Sequence, residues 1–241
     1  MTILVVVPAR GGSRGIPRKN LVEVGGRSLL RWAVEAGLAS QRAHRVVVST
    51  DDAEIADEAR RSGAEVPFLR PAELATDTAP MLGVLQHALR SMEEQDHRRY
   101  VSLLLLDPTS PGRLPSDVAL AVSLLESDSA ADGVVGVSRP EFNPFWHCVV
   151  EKDGYMSALI EGADKYSRRQ DVPDVFRINA TLYLWRRDFL LSVQGSWMNG
   201  RLRLLEVPEA RAIHIDDADE FARADLMVRN GLVRFPWLDI P

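Results

Sequence analysis

The stretch Ala9-Arg10-Gly11-Gly12-Ser13-Arg14-Gly15-Ile16-Pro17-Arg18-Lys19-Asn20 is the part of the chain richest in chemistry. Four cations (Arg10, Arg14, Arg18 and Lys19) fall within ten residues of a protein whose net charge is −5. Such local positive charge suits a polyphosphate, which arginine grips with its planar fork and lysine as a point charge. The glycines predict a backbone free to take positive φ and to approach a ligand, with successive N–H groups forming an anion-binding nest. Glycines and arginines alone also describe a solvated basic turn. The position directly after an apolar strand and the Pro17-Arg18-Lys19-Asn20 ending argue for a ligand site. No Gly-Lys-Ser/Thr opens the next helix, so this is not a P-loop. No G-x-G-x-x-G occurs in it either, which removes the dinucleotide fingerprint. A nucleoside triphosphate is the predicted ligand.

The elements around that loop read as an α/β fold. Ile3-Leu4-Val5-Val6-Val7 is a continuous apolar run of the kind that makes a buried parallel strand, and Arg45–Ser49 is the next one. Between them, Ser28 to about Ser40 has helical periodicity, completing a βαβ unit. Asp51 and Glu54 have capping-box spacing and predict a helix ending at Gly63, followed by a short strand at Val66-Pro67-Phe68. Helices are predicted over 82–92, 115–126 and 219–230, and strands over 100–106, 133–138 and 178–185. This succession predicts a layered sheet flanked by helices. The pattern breaks across 139–177, where Pro140, Pro144 and Pro173 and the aromatics Phe142, Phe145, Trp146, Tyr155 and Tyr166 cluster. That division predicts a core of 1–138 and 178–241 with an insertion at 139–177.

At 241 residues, with 46% apolar and 26% charged side chains, the chain can bury a real core and is neither disordered nor fibrous. One cysteine, Cys148, excludes an internal disulfide framework and a thiolate zinc cluster, and no H-x₃₋₅-H spacing offers a zinc site. Cys148 beside His147 is a dipeptide rather than a catalytic pair, since neighbours on a strand point to opposite faces. No apolar run is long enough to span a bilayer and the start lacks a basic n-region, so no membrane association and a cytoplasmic location are expected. The acidic balance argues against nucleic-acid binding.

The loop and five further blocks, in the same order, resemble the CMP-sialic acid synthetases (acylneuraminate cytidylyltransferases). Those blocks are Ser49-Thr50-Asp51-Asp52 with Ile55-Ala56; Arg70-Pro71-Ala72-Glu73-Leu74-Ala75 with Asp77; and Pro108-Thr109-Ser110-Pro111 followed by Arg113. The last two are Phe176-Arg177-x-Asn179 ahead of Tyr183, and Ile215-Asp216 before the final helix. The resemblance implies a Rossmann-like, GT-A-like nucleotidyltransferase fold: a three-layer sandwich with a mostly parallel sheet and a small dimerisation insertion. It implies transfer of CMP from CTP to the anomeric hydroxyl of a nine-carbon 2-keto sugar acid, with Mg²⁺ as cofactor and a homodimer as the working unit. By the same resemblance, Arg10, Arg14 and Lys19 hold the triphosphate as the catalytic cations, with Gly11, Gly12 and Ser13 beside them. Asn20 and Arg70 contact the nucleoside end, Arg169 and Tyr183 the sugar, and Asp216 the metal.

Four positions depart from that pattern. Arg14 stands for a lysine and Trp146 for another, His214 stands where an Asp-x-Asp motif would begin, and Asp107 replaces a glutamine. Imidazole is a poor magnesium ligand, so Asp216 is kept as the metal ligand rather than His214. Asp107 is expected either to supply the missing carboxylate to the metal or to meet a cationic group on a modified sugar. A legionaminic or pseudaminic acid is then as good an acceptor as N-acetylneuraminate. The alternatives are a 3-deoxy-octulosonate cytidylyltransferase and a catalytically silent nucleotide-binding subunit.

Overall fold

The computed structural model describes residues 2–13 and 15–238. Its centre is a six-stranded sheet in the order β10-β6-β9-β5-β1-β4. These strands are β1 (Ile3–Pro8), β4 (Arg45–Ser49), β5 (Ser102–Leu105), β6 (Gly133–Ser138), β9 (Arg177–Arg186) and β10 (Leu202–Glu206). All neighbours run parallel except β9, which is antiparallel to both β5 and β6. The sheet is therefore mostly parallel, as expected, with one reversed strand.

Alternation along β1 shows why it sits centrally. Val5 and Val7 pack with Leu30, Val34 and Ile55, together with Val118 and Val122. Leu4 and Val6 face the other way, onto Leu85, Leu89 and Met92. Helices α1 (Leu29–Ala39), α2 (Ala53–Arg61) and α4 (Pro115–Ser127) thus cover one face. Helices α3 (Met81–Asp96) and α6 (Arg187–Ser192) cover the other. Burying each Val or Leu of β1 stabilises the fold by about 1.5–3 kcal/mol, which is why a run with no polar residue is needed there. Helix α7 (Ala218–Arg229) packs by Ala224 on Val24, Leu29 and Ile215. It is followed by Gly231 at φ +67, the left-handed stop that the sequence indicates.

Two local expectations are corrected. The cap of α2 is Asp52, which accepts from Ile55 N at 3.0 Å, and not Asp51. Asp51 instead turns to the loop, accepting from Gly11 N at 3.0 Å. Val66–Phe68 is no strand: Pro67 has no N–H for a ladder, and the flanking Glu65 and Leu69 make isolated bridges to Val47 and Thr50. Strand β10 and helix α6, unpredicted, complete the sheet's far edge and its second helical layer.

The minor pair β2 (Glu23–Val24) and β3 (Arg27–Ser28) leads into α1. Between β6 and β9 the chain leaves the main sheet for the short helix α5 (Pro144–His147) and the hairpin β7 (Val149–Lys152)–β8 (Tyr155–Ala158). Within β9, Val135 of β6 pairs with Tyr183 but Val137 pairs with Ile178, so residues between them bulge out. Ala180 takes φ +57 at this bulge. Arg113 Nε, from the loop before α4, donates to the freed Thr181 carbonyl at 2.7 Å.

Candidate active site

In open α/β sheets, ligands bind beyond the carboxyl ends of the strands where the strand order reverses. Here β1 has β4 on one side and β5 on the other, so the loops after β1 and β5 flank that crevice. A cavity of about 350 Å³ lies there. The loop after β1 gives it Arg10, Ser13, Gly15, Lys19 and Asn20, and the segment beyond β4 gives it Arg70. The loop after β5 contributes Asp107 and Thr109, α3 contributes Met81, and the turn before α7 contributes Asp216. Residues as far apart in sequence as Pro8 and Asp216 are thus brought into one wall.

The loop is held in place by its neighbours rather than by glycine torsions. Gly11, Gly12 and Gly15 are absent from the positive-φ residues, and among the described residues of the loop Arg18 is left-handed, at φ 56. The expected glycine conformations are therefore corrected, and two of the three glycines serve close approach instead. A Cβ on Gly11 would lie 2.8 Å from Asp52 Oδ2, and one on Gly15 would overlap the Asp216 carbonyl oxygen. Nothing lies within 4 Å of a Cβ on Gly12. Arg18 reaches away from the cavity to Asp52 at 2.7 Å and to Glu54, stapling the loop to the start of α2. Asn20 is buried, and its Nδ2 donates to the Arg10 carbonyl at 3.0 Å.

The loop cations Arg10 and Lys19 face the cavity and are paired with carboxylates. Arg10 pairs with Asp77, and Lys19 Nζ lies 2.7 Å from Asp216 Oδ1. Partly exposed pairs of this kind contribute only about 0–1 kcal/mol, so an anion entering the cavity would displace them at small cost. Burial acts to raise the Asp216 carboxyl, but Lys19 and His214 outweigh it and hold the group below its ordinary value. Arg70 is buried, and desolvation lowers it to about 10, which leaves it charged at neutral pH. Its Nε donates to Ser49 Oγ at 3.1 Å and its Nη2 to the Ser49 carbonyl, aiming a fixed cation into the cavity.

Asp107, two residues beyond the end of β5, belongs to a second, apolar cavity of about 220 Å³ as well. There Tyr183 and Trp185 lie parallel with centroids 5.5 Å apart, and Trp197 packs edge-on to both. Tyr183 is pushed up to about 12, mainly by burial and further by the Asp107 carboxylate. Behind Asp107, the fully buried Arg113 donates Nη2 to the Asp107 carbonyl at 2.5 Å. Desolvation lowers this guanidinium to about 10.

Of the residues singled out from the sequence, Arg10, Ser13, Lys19, Asn20, Arg70, Asp107 and Asp216 line the first cavity, and Tyr183 lines the second. Gly11 and Gly12 sit in the loop without lining the cavity. Arg14 lies outside the described residues, as does the side chain of Arg169, whose backbone belongs to a short turn over Arg169–Asp171. Met81, Thr109 and Gly15 carried no assigned role. Thr109 had a signal, the block after β5, whereas a methionine wall leaves no trace in sequence. Among the described residues no three His, Cys, Asp or Glu side chains converge as a metal cluster, and no helix is long and apolar enough to cross a membrane.

A larger cavity of about 600 Å³ lies at the foot of the hairpin, walled by Arg139, Phe142, Trp146 and Asp174. It holds none of the loop's cations, and its own Arg139 is already paired with Asp174 at 2.7 Å.

Residues 4–195 match the family described as cytidylyltransferase. A CMP-N,N'-diacetyllegionaminic acid synthase of Legionella pneumophila is 30% identical over 95% of this chain and 97% of its own length. An N-acylneuraminate cytidylyltransferase of Escherichia coli is also 30% identical over 92% of this chain, which spans 51% of that protein. Among solved structures, a CMP:2-keto-3-deoxy-manno-octonic acid synthetase complexed with CTP superposes with a TM-score of 0.72. It is 18% identical and covers 96% of this chain and all of its own, a likeness of fold.

Proposed function

Because the chain belongs to the cytidylyltransferase family, we propose that it activates a nine-carbon 2-keto sugar acid with CTP, releasing pyrophosphate. The observation that carries this is the single cavity at the switch point, where the loop's cations meet the carboxylates of Asp107 and Asp216. In this reading Arg10, Arg14 and Lys19 hold the triphosphate, with the Gly11-Gly12-Ser13 backbone alongside. Asn20, whose Nδ2 also ties the loop together through the Arg10 carbonyl, and Arg70 meet the nucleoside end. The anomeric oxygen bonds to the α-phosphorus, the α–β anhydride bond breaks with its electron pair on pyrophosphate, and the hydroxyl proton passes to water. Positioning and charge stabilisation carry such a step.

The donor set fits a hard divalent cation such as Mg²⁺. Asp107 and Asp216 present carboxylate oxygens to one cavity, and magnesium is commonly held by one or two carboxylates plus phosphate oxygens and water. When bound, the cation neutralises phosphate charge and acts as a Lewis acid. Asp107 borders both cavities, so it also meets the sugar. Tyr183, with Trp185 and Trp197, offers the sugar an apolar wall, and Arg169 is assigned to its carboxylate or acyl side. That wall suits deoxygenated, N-acylated acids, and the full-length match to a legionaminate synthase favours an acceptor of that type.

The segment 139–177 is assigned to dimerisation. Its hairpin exposes Val149, Val150, Tyr155 and Met156, with Phe142 and Leu159 alongside, an apolar surface that a second copy would cover. A cytoplasmic reaction, where CTP is available, is part of this reading.

The test is pyrophosphate release from CTP and Mg²⁺ with a panel of acids, read by product mass. N,N'-diacetyllegionaminate, pseudaminate, N-acetylneuraminate and 3-deoxy-octulosonate form the panel. A CMP-nonulosonate product is expected. Turnover with octulosonate alone would make the chain an octulosonate enzyme, and CTP binding without any turnover would make it a silent subunit. Light scattering in solution should give twice the chain mass.

A further inference from the structure

One hydrogen-bonded chain joins the two carboxylates of the candidate site, and His214 is its middle link. Asp107 Oδ1 accepts from Thr109 Oγ1 at 2.9 Å and from Thr109 N at 3.0 Å. Thr109 Oγ1 and Ser110 Oγ lie 3.3 and 3.4 Å from His214 Nδ1. On the other side of the ring, His214 Nε2 lies 2.9 Å from Asp216 Oδ2, while Asp216 Oδ1 takes Lys19 Nζ at 2.7 Å. Asp107 and Asp216 line the cavity that holds the loop's cations. His214 does not; it lines the separate cavity of about 420 Å³ beside Arg177 and α7.

Proton accounting fixes what the ring can do. An ionised carboxylate only accepts, so the nitrogen facing Asp216 carries the hydrogen. The Thr109 hydroxyl spends its hydrogen on Asp107, so toward Nδ1 either Thr109 accepts or the Ser110 hydroxyl donates. In both arrangements each ring nitrogen is engaged, and no lone pair is turned toward the cavity. Backbone reinforces the link, since Ile215 N donates to the Thr109 carbonyl at 2.9 Å.

We propose that His214 is a positioning residue: its ring clamps the Asp216 carboxylate against the Thr109–Asp107 turn and so fixes the spacing of the two oxygen donors offered to a divalent cation. This rests on the reading of Asp107 and Asp216 as that cation's ligands. Partners of this kind, which touch a ligand but not the metal, typically set metal affinity by 10–100-fold.

The test uses the whole protein with α,β-methylene-CTP and Mn²⁺, which is paramagnetic and also accepts oxygen donors. Loss of the free Mn²⁺ resonance measures affinity, and pulsed electron spin resonance reports any nitrogen bound directly to the metal. His214→Ala should weaken Mn²⁺ about tenfold, with most of the loss restored in His214→Gln, which keeps an N–H donor. Thr109→Val, which cuts the other end of the chain, should weaken it in the same direction. The wild-type complex should show no directly coordinated nitrogen. Unchanged affinity in His214→Ala overturns the clamp, and so does a direct nitrogen coupling that vanishes in that variant, because the ring would then be a ligand. Asp107→Asn and Asp216→Asn separate the premise from the inference. If both leave Mn²⁺ binding intact, the two-carboxylate reading itself fails, whatever His214 does.

Discussion

Adding one methyl group at Gly15 should disable the site, while the same change three residues earlier should not. A Cβ on Gly15 would run into the carbonyl oxygen of Asp216, a backbone atom that cannot swing aside like a side chain. Non-bonded heavy atoms need roughly 3.5 Å. The overlap therefore forces the loop after β1 and the turn before α7 apart by more than about 1 Å. That movement acts on the 2.7 Å Lys19–Asp216 pair and on two walls of the same cavity. Misplacing catalytic groups by about 1 Å costs on the order of 100-fold in rate. Gly12 has open space around its would-be Cβ and no positive φ, so Gly12→Ala should stay within about threefold of wild type. Gly11→Ala meets the Asp52 carboxylate at 2.8 Å and should fall between them. The assay is kcat/KM for CTP by pyrophosphate release, with thermal melts to show that all three variants fold. If Gly15→Ala retains activity within twofold of Gly12→Ala, close approach is not what the glycine provides and the cavity geometry is wrong.

Ala180→Gly should raise stability, because φ +57 costs a non-glycine residue about 1–2 kcal/mol while glycine's extra entropy returns about 0.5–1. A melting-point rise of roughly 1–3 °C is expected for a chain of this size. Arg113→Met removes the donors to the Asp107 and Thr181 carbonyls, at about 1–3 kcal/mol each, so the melting point should fall by roughly 5–15 °C. Glu93 is held below its ordinary 4.5: burial raises it, but Arg187 at 2.7 Å and the Tyr100 N–H more than offset that. A depressed carboxylate stabilises the fold above its unfolded value and loses that contribution as pH falls through the folded one. The melting-point gap between wild type and Glu93→Gln should therefore be full at pH 6 and shrink as the pH is taken below 4.5.

Strands buried on both faces announce themselves, because a helix-covered strand is an almost continuous apolar run, here with buried serines only at the ends of β4, β5 and β6. That is why β1, β4, β5 and β6 were legible as apolar runs. Strand β10 was not, since Leu202-Arg203-Leu204-Leu205-Glu206 lies at an edge and buries only Leu205. Helix α6, six residues long, is too short to establish a period. The Asp51/Asp52 assignment failed for a related reason: both aspartates have capping chemistry, and only the Gly11 N–H and the Arg18 guanidinium, 34 to 40 positions away, decide which one caps. Local pattern carries no information about such partners.

The same distinction separates the halves of the site. The cationic loop is contiguous, so its composition together with its position directly after an apolar strand points to a polyphosphate. The carboxylate half is assembled from Asp107 and Asp216 by the fold, and apart from the family resemblance of their blocks neither has neighbours that set it off from an ordinary aspartate. What marks them is their position: one at the carboxyl end of β5, the other in the turn that Gly15 approaches too closely to bear a side chain. A cavity that spends a glycine and a lysine of one loop on Asp216 has coupled its two halves. Substitutions in the loop should then disturb cation binding as well as nucleotide binding. Lys19→Met accordingly should shift Mn²⁺ affinity and CTP affinity together, and a change in CTP affinity alone would show that the halves act independently.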